Sequence, residues 1–358
     1  MARGQSRPLI VFLLLVVVGL VLFGLLRGRP GRHPARRPGP PQPPATGLGV
    51  WPAVGPATAT APASASAPAA ARAGGPALKM PGETFKASAA QVAQARRTFQ
   101  EGLGLLGVGR LVAARAALAD ALNSGALPED LAEQARRHLA ELADRMLFSR
   151  HVHPGDPCTF LYTFKPGDRL VRVERKLALH VPERLILRIN GIADATKIRA
   201  GQSLKMIRGP FHAVVTKSRF TMDIYLQEHG TGRMLFVRRF RVGTGRDGST
   251  PAGLWRVSVG RKMTHAPWTP PPSSNLPQRK VLWGQPGYPL GRMGYWIGLE
   301  GAEGNPHTAE DGFGIHGTND PGSIGKASSL GCIRLADGDI DQVYAMLYPK
   351  WSKVRIKP

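Results

Sequence analysis

The spacing of apolar side chains changes character several times along this 358-residue chain, and each change marks an element. Leu9 to Leu26 reads LIVFLLLVVVGLVLFGLL, 18 residues without a charge. As a helix it would be about 27 Å long, close to the hydrocarbon thickness of a bilayer. A transmembrane anchor over 9–26, after a short basic segment 1–8, is the expectation. A cleaved signal peptide is the rival, but Arg27, Gly28, Arg29 and Pro30 do not resemble a small-residue cleavage site. Residues 27–83 have no apolar period and are dominated by Pro, Ala, Gly, Ser and Thr. So few large apolar groups cannot offset the entropy of ordering, which predicts a disordered tether.

From 84 to 150 the period is helical. Ser88 and Gln91 have capping-box spacing, and Val92, Ala95, Phe99, Leu103 and Leu106 follow on one face. Leu111, Ala114, Leu118 and Leu122 form a second stripe, ended by Asn123-Ser124-Gly125. Leu131, Ala135, Leu139, Leu142 and Met146 form a third, opened by Pro128 and Glu129. Three short amphipathic helices predict an antiparallel unit, either a packing spacer or a surface for a protein partner. Residues 158–208 then read strand, helix, helix, strand: Tyr162 and Phe164 alternate with polar neighbours, and Asp168 is placed to cap a first helix. A second helix runs from Pro182 to Asn190-Gly191.

Beyond Gly209-Pro210 the period becomes two. Phe220, Met222, Ile224 and Leu226 alternate with Thr221, Asp223, Tyr225 and Gln227, which predicts a half-buried strand. A turn at Glu228–Gly232 leads to a partner strand through Met234, Phe236, Phe240 and Val242. Further strands are expected around 253–259, 293–299 and 354–356, with one helix at Asp337–Leu347. The fold class is therefore multidomain, with a mainly-β sandwich or barrel over 210–358. A long Pro-rich passage, 264–290, interrupts it.

Charge narrows the partners. Lys plus Arg number 48 against 24 Asp plus Glu, a net +24, which favours an anionic polymer or membrane surface. The cations are not clustered with interleaved aromatics, so no nucleic-acid partner is expected. Two cysteines exclude a disulfide-dense scaffold and a four-thiolate zinc site. Arg27, Arg29, Arg32, Arg36 and Arg37 follow the apolar run, so charge alone would keep the long C-terminal part in the cytoplasm.

The chemistry concentrates in Gly312-Phe313-Gly314-Ile315-His316-Gly317-Thr318 and Ser328-Ser329-Leu330-Gly331-Cys332-Ile333-Arg334-Leu335. An isolated cysteine is most often a small buried hydrophobe. Here Cys332 lies in a Gly-Cys step with backbone N–H groups beside it, His316 ends an apolar strand, and Arg334 supplies positive charge. A nucleophilic thiol needs a base or a lowered pKa, and an imidazole provides both if a third group aims its other nitrogen. Asp320, Asp337 and a backbone carbonyl are equal candidates for that group. Cys158 reads as a lone structural thiol, and His265 and His307 as loop residues.

Two resemblances follow from these residues. Tyr162, Gly167-Asp168-x-Leu170, Asn190-Gly191-Ile192 and Gly201-Gln202-x-Leu204 resemble a LysM domain, a small α+β (βααβ) module that binds N-acetylglucosamine-containing glycans; its first helix, VRVERKLAL, is more basic than is usual. HGTNDPGSIGKASSLGCIRL, with Gly243–Gly245, Thr250-Pro251-Ala252-Gly253 and Leu290-Gly291, closely resembles the active-site signature of L,D-transpeptidases with a YkuD-type catalytic domain. Leu330 stands where many members carry a polar residue, and 264–290 is unusually long.

The second resemblance implies a catalytic Cys332 and His316, with the Gly317 carbonyl orienting the imidazole. Gly331 lies in the oxyanion-stabilising backbone, and Ser329 and Arg334 shape the site or hold a substrate carboxylate. It further implies attack on the third residue of a peptidoglycan stem peptide, loss of D-Ala, and 3→3 cross-links, with no metal or other cofactor. The partners implied are stem peptides, glycan strands and, through 9–26, a membrane. The site would then lie in the cell envelope, outside the cytoplasm, against the flanking arginines. Alternatives are an L,D-carboxypeptidase, attachment of a wall protein through the same thioester, and a non-catalytic peptidoglycan-binding protein.

Overall fold

The computed structural model describes residues 80–81, 86–270 and 276–358. The segment 1–8, the anchor 9–26 and nearly all of the tether lie outside the described residues. Among those described, no helix is long and apolar enough to cross a membrane. Met80, which the sequence assigns to the tether, is buried in the core.

Three helices come first: α1 (Ala89–Gly107), α2 (Leu111–Asn123) and α3 (Glu129–Met146). Both bonds of the Ser88/Gln91 capping box are present at the start of α1. Phe99, Leu118, Leu139 and Leu142 form the buried stripe that their spacing predicts. The strand–helix–helix–strand order also appears, as β1 (Thr159–Thr163), α4 (Leu170–Lys176), α5 (Glu183–Ile189) and β2 (Ser203–Ile207). β1 and β2 pair antiparallel from Thr159↔Ile207 to Thr163↔Ser203. Asp168 does not cap α4. Its carboxylate accepts from the Lys165 amide at 2.9 Å and the Tyr162 hydroxyl at 2.8 Å, so it closes the turn before the helix.

The buried ammonium of Lys205 on β2 joins this module to the helices. It donates to the carbonyls of Met146 (2.6 Å), Ser149 (3.0 Å) and His151 (2.6 Å) at and just beyond the end of α3. A cation is favourable where helix carbonyls lack intrahelical partners. Burial nevertheless pulls the Lys205 pKa down to about 8. On its other side the module meets the C-terminal domain, where Arg184 and Arg188 of α5 reach Asp341 at 2.7 and 2.5 Å.

The C-terminal domain holds β3 (Phe211–Thr216), β4 (Thr221–Gln227), β5 (Met234–Arg241), β6 (Thr244–Gly245), β7 (Gly253–Met263), β8 (Trp296–Gly301), β9 (Gly314–Gly317), β10 (Ala327–Ser329), β11 (Ile333–Leu335) and β12 (Lys353–Lys357), with α6 (Asp337–Met346). Eight strands form one mixed sheet in the order β11-β9-β8-β7-β12-β3-β4-β5, and β6 and β10 form a short parallel pair. The edges of the large sheet meet just past β5. There the Gly243 amide donates to Arg334 O and the Arg334 amide to Gly243 O, both at 2.9 Å, so the end of β5 bridges to β11. That bridge turns an open sheet into a near-barrel and removes part of each edge.

Two strand expectations need correction. Phe220 lies outside β4, in the left-handed region at φ 52°, where it ends the preceding turn. β4 itself is covered on both faces, because Asp223 and Tyr225 are buried along with Met222, Ile224 and Leu226. The helical unit supplies the second cover. Arg239 on β5 bridges Asp223 (2.6 Å) to Glu133 of α3 (2.5 Å), Arg238 pairs with Asp144, and Asn123 donates to Met234 O at 2.7 Å. This polar face of the helices is thus occupied by the chain itself.

Gly243 has no room for a side chain: a Cβ there would lie 2.5 Å from Ser323 O. Gly243→Ala is expected to spread the bridge and cost about 1–3 kcal/mol, as overpacking generally does. A denaturant midpoint matching the parent protein would show that the closure tolerates the extra carbon.

Candidate active site

β9 and β11 carry His316 and Cys332 to one place. They run parallel, with Ile333 opposite Ile315 and Arg334 opposite His316. Ile315, Ile333 and Leu335 point into the core with at most 1% exposure. Strand alternation therefore sends His316, Arg334 and, one step before β11, Cys332 to the other face. From the ordinary strand spacing and rise, the two Cα atoms lie roughly 8 Å apart, a span that a thiol and an imidazole can close. The sulfur sits over the entry to β9, 3.6 Å from Gly312 O, and takes a hydrogen bond from the Gly314 backbone.

His316 is held on two sides. Its Nδ1 lies 2.6 Å from Gly317 O. A carbonyl only accepts, so Nδ1 carries the proton and Nε2 keeps its lone pair as the free base. Trp296, paired with His316 across β8 and β9, stacks on the ring at 5.6 Å between centroids. Neither aspartate serves as the third group. The Asp337 carboxylate accepts the Arg292 amide at 3.0 Å, and Asp320 is exposed in the loop after β9.

The loop before Cys332 is braced from beneath. Ser329 is buried with its hydroxyl committed: it donates to Cys332 O at 2.7 Å and accepts the Gly331 amide at 3.1 Å. It shapes the loop and has no hydrogen left for a substrate. Thr250 donates to Gly331 O (2.8 Å) and accepts the Gly245 amide (2.7 Å), tying β6 to the loop. Gly331 adopts φ +133°, and a Cβ there would meet Phe313 and Ser249 O at 3.0 Å. With the Gly331 amide engaged, the Cys332 amide is the one beside the sulfur that donates no hydrogen bond among the described residues. Thr250 and Trp296 were not marked as site residues by the sequence. Thr250 lies in the Thr-Pro-Ala-Gly motif and Trp296 beside the Leu290-Gly291 step, so the only signal was proximity to motifs.

Electrostatics fix the resting protonation state. Burial drives the Cys332 thiol up to about 11, against smaller downward pulls from the Gly314 hydrogen bond and the Arg334 charge. Burial likewise drives His316 down to about 4; the Gly317 bond opposes this and Arg334 adds to it. Thiol and imidazole are thus both neutral near pH 7. From that state a thiol attacks a carbonyl only if a base takes its proton. Cys158 has no exposed surface, and burial raises its pKa to about 12, which leaves it inert. Among the described residues no cluster of metal-ligating side chains occurs.

Below its pKa a thiol gains thiolate about tenfold per pH unit, so alkylation of Cys332 by iodoacetamide should climb steadily from pH 7 to 9. A plateau below pH 7 that vanishes in His316→Ala would instead reveal a preformed ion pair. Mass spectrometry of the folded protein should find one label, with Cys158 unmodified. Thr250→Val strands the Gly245 amide and the Gly331 carbonyl, an expected loss of about 1–3 kcal/mol in unfolding free energy; an unchanged value would remove Thr250 from the support of the loop.

Residues 210–356 match the family model of the L,D-transpeptidase catalytic domain, YkuD. The YkuD protein of Bacillus licheniformis is 28% identical over 200 residues, 55% of this chain and 99% of that protein. The YkuD protein of Bacillus subtilis is 41% identical over 71 residues, 20% of this chain and 36% of its own length. Among solved structures, an L,D-transpeptidase from Mycobacterium smegmatis aligns with a TM-score of 0.31 and 15% identity, over 44% of this chain and 64% of that one. The helical cell shape determining protein Pgp2 from Campylobacter jejuni aligns at 0.29 and 17%, over 41% and 47%. This chain thus spans less than two thirds of either solved chain. Residues 210–356 are thus similar to the L,D-transpeptidase catalytic domain of the YkuD type.

Proposed function

We propose that this chain is a peptidoglycan L,D-transpeptidase that forms 3→3 cross-links in the cell envelope. The observation that supports this best is the placement of Cys332 at the entry to β11, the parallel neighbour of the β9 strand that carries His316, with Nδ1 fixed by Gly317 O and Nε2 left free. In the first half-reaction the Cys332 sulfur attacks the carbonyl of the third residue of a stem tetrapeptide while its proton passes to His316 Nε2. The oxyanion faces the uncommitted Cys332 amide, and such a donor is worth on the order of 3 kcal/mol in the transition state. The carbon–nitrogen bond to D-Ala breaks, the imidazolium protonates the departing amine, and a thioester remains. A side-chain amine of a second stem then attacks the thioester carbonyl. It gives up its proton to His316, the carbon–sulfur bond breaks, and the imidazolium passes that proton to the departing sulfur, restoring the thiol.

The other parts of the chain fit an envelope setting. The strand–helix–helix–strand module over 158–208 is read as LysM-like and would hold glycan strands near the site. The apolar run 9–26 would tether the protein to the membrane with the β domain outside the cytoplasm. The excess of cations suits an anionic wall.

Incubation of the purified protein with disaccharide-tetrapeptides should release D-Ala, add the mass of the acylated stem at Cys332 and yield 3→3 dimers. Cys332→Ala should lose all three. His316→Gln should slow acylation about 10²–10⁴-fold, the usual worth of a positioned base. Thioester without dimers, with free tripeptide accumulating, would point to water as the acceptor and a carboxypeptidase. Neither adduct nor D-Ala from a protein with a titratable Cys332 thiol would defeat the enzyme reading.

A further inference from the structure

Asp341, in the middle of α6, takes three side-chain donors from two parts of the chain. Its Oδ1 accepts from Arg184 of the strand–helix–helix–strand module at 2.7 Å and from the Tyr295 hydroxyl at 3.0 Å, and its Oδ2 accepts from Arg188 at 2.5 Å. Arg184 and Arg188 stand four residues apart, so both reach out from one face of α5. The Tyr295 ring is buried, stacks on Tyr344 of α6 at 4.5 Å and has the Arg184 guanidinium 5.5 Å from its centroid. Module, helix and sheet meet at this one carboxylate.

From there two short paths run to His316. The first follows the chain. Tyr295 directly precedes β8, and successive side chains of an extended segment point to opposite sides. Tyr295 turns toward α6, while Trp296 turns the other way and stacks on the imidazole at 5.6 Å. The second path is α6 itself, where Asp337, Ile340 and Asp341 share a face. A Cβ on Gly317 would lie 3.2 Å from both Asp337 Oδ1 and Ile340 Cγ2. The first turn of the helix therefore packs on the residue whose carbonyl holds Nδ1 of His316. The far end of α6 is pinned separately, by Lys262 Nζ donating to Leu347 O at 2.7 Å.

We infer that Asp341 is a positioning residue: docking of the module through Arg184 and Arg188 fixes its carboxylate, and the carboxylate, through Tyr295 and α6, fixes the orientation of the His316 ring. The inference rests on the reading of Cys332 and His316 as the reacting pair, and it gives the module a part in the acylation step itself, apart from any glycan it holds. A simple staple would bring the module close and do no more. This one is shared with both neighbours of the imidazole, the Trp296 ring and the Gly317 carbonyl. Arg239 offers the contrast, since it also joins the β domain to another part of the chain, but its partners Asp223 and Glu133 lie on β4 and α3.

The test uses the full chain. Ring-nitrogen NMR spectra, assigned with His316→Gln, should show His316 in the parent protein as one tautomer with its proton on Nδ1. In Asp341→Asn a second population protonated on Nε2 should appear. D-Ala release from disaccharide-tetrapeptides by that variant should fall about 10–100-fold in kcat with KM little changed, the scale on which misplacing a reacting group acts. Arg184→Gln combined with Arg188→Gln should give the same pair of changes without touching α6, and it decides the matter if Asp341→Asn does not fold. Asp341→Glu should recover part of the rate, because a carboxylate is again within reach of the same donors. Arg239→Gln should lower the denaturation midpoint while leaving tautomer and kcat at parental values. A single Nδ1–H tautomer with parental kcat in the double arginine variant overturns the inference, as does an equal loss of kcat in Arg239→Gln. Should the parent protein release no D-Ala, the transpeptidase reading fails, and the tautomer populations still decide whether Asp341 positions the ring.

Discussion

The two hydrogen bonds between Gly243 and Arg334 are the constraint on which the site depends. Without them β11 would be an edge strand of three residues, held on one side by β9 alone. Short edge strands fray, and a nucleophile at the entrance of one would move with it. With the bridge, β11 is gripped between β9 and the continuation of β5, and Cys332 inherits the stiffness of the whole sheet. The chain spends a glycine on this contact, because Ser323 O comes too close to Gly243 to admit a Cβ. Arg334 is the residue whose backbone closes the barrel and whose side chain faces the thiol, so closure and electrostatics are built into a single position.

That coupling bears on how the pair reacts. Arg334 favours the thiolate and disfavours the imidazolium, so its charge works in opposite senses on the two partners. Desolvation opposes both charged forms more strongly. A neutral thiol beside a neutral imidazole is the consequence, and an uncharged sulfur oxidises slowly. Charge needs to appear only when a carbonyl is present to receive the electrons. In the proposed reaction the groups available at that moment are Nε2, left free by the Gly317 bond, and the amide of Cys332, left free because Ser329 takes its neighbour's.

Local rules served well where local contacts decide. The capping box, the three helical stripes and the bounds of the strand–helix–helix–strand module were legible because helix and turn signals lie within a few residues of what they fix. The Cys332 and His316 motifs were legible for a similar reason, since glycine steps flank each of them. Alternation in β4 misled because polarity there reports a partner far away in sequence: Asp223 is buried opposite Arg239 and the helical unit, and no property of the strand itself announces that cover. Asp168 misled through competition, its carboxylate finding the nearer Lys165 amide and Tyr162 hydroxyl before the helix. The third partner of His316 stayed open among two aspartates and a carbonyl because the choice turns on backbone direction at Gly317, which composition does not encode. Thr250 escaped notice because its partners lie 5 and 81 residues away.

The Pro-rich passage shows how a long loop is held in place. A loop of that length would normally add entropy and little else. This one is stapled by the His265–Trp283 stack, the indole bond to Arg292 O and the Arg292–Asp337 contact, so its far end is as well placed as a strand. The staples use backbone atoms and rings, which frees the Arg292 guanidinium from any structural duty. On the outer face of the sheet the same residue type is used in the opposite way: Arg238 and Arg239 are neutralised against helix carboxylates and bind domains together. Arginines that bind modules are paired, whereas among the described residues no ion pair engages Arg292.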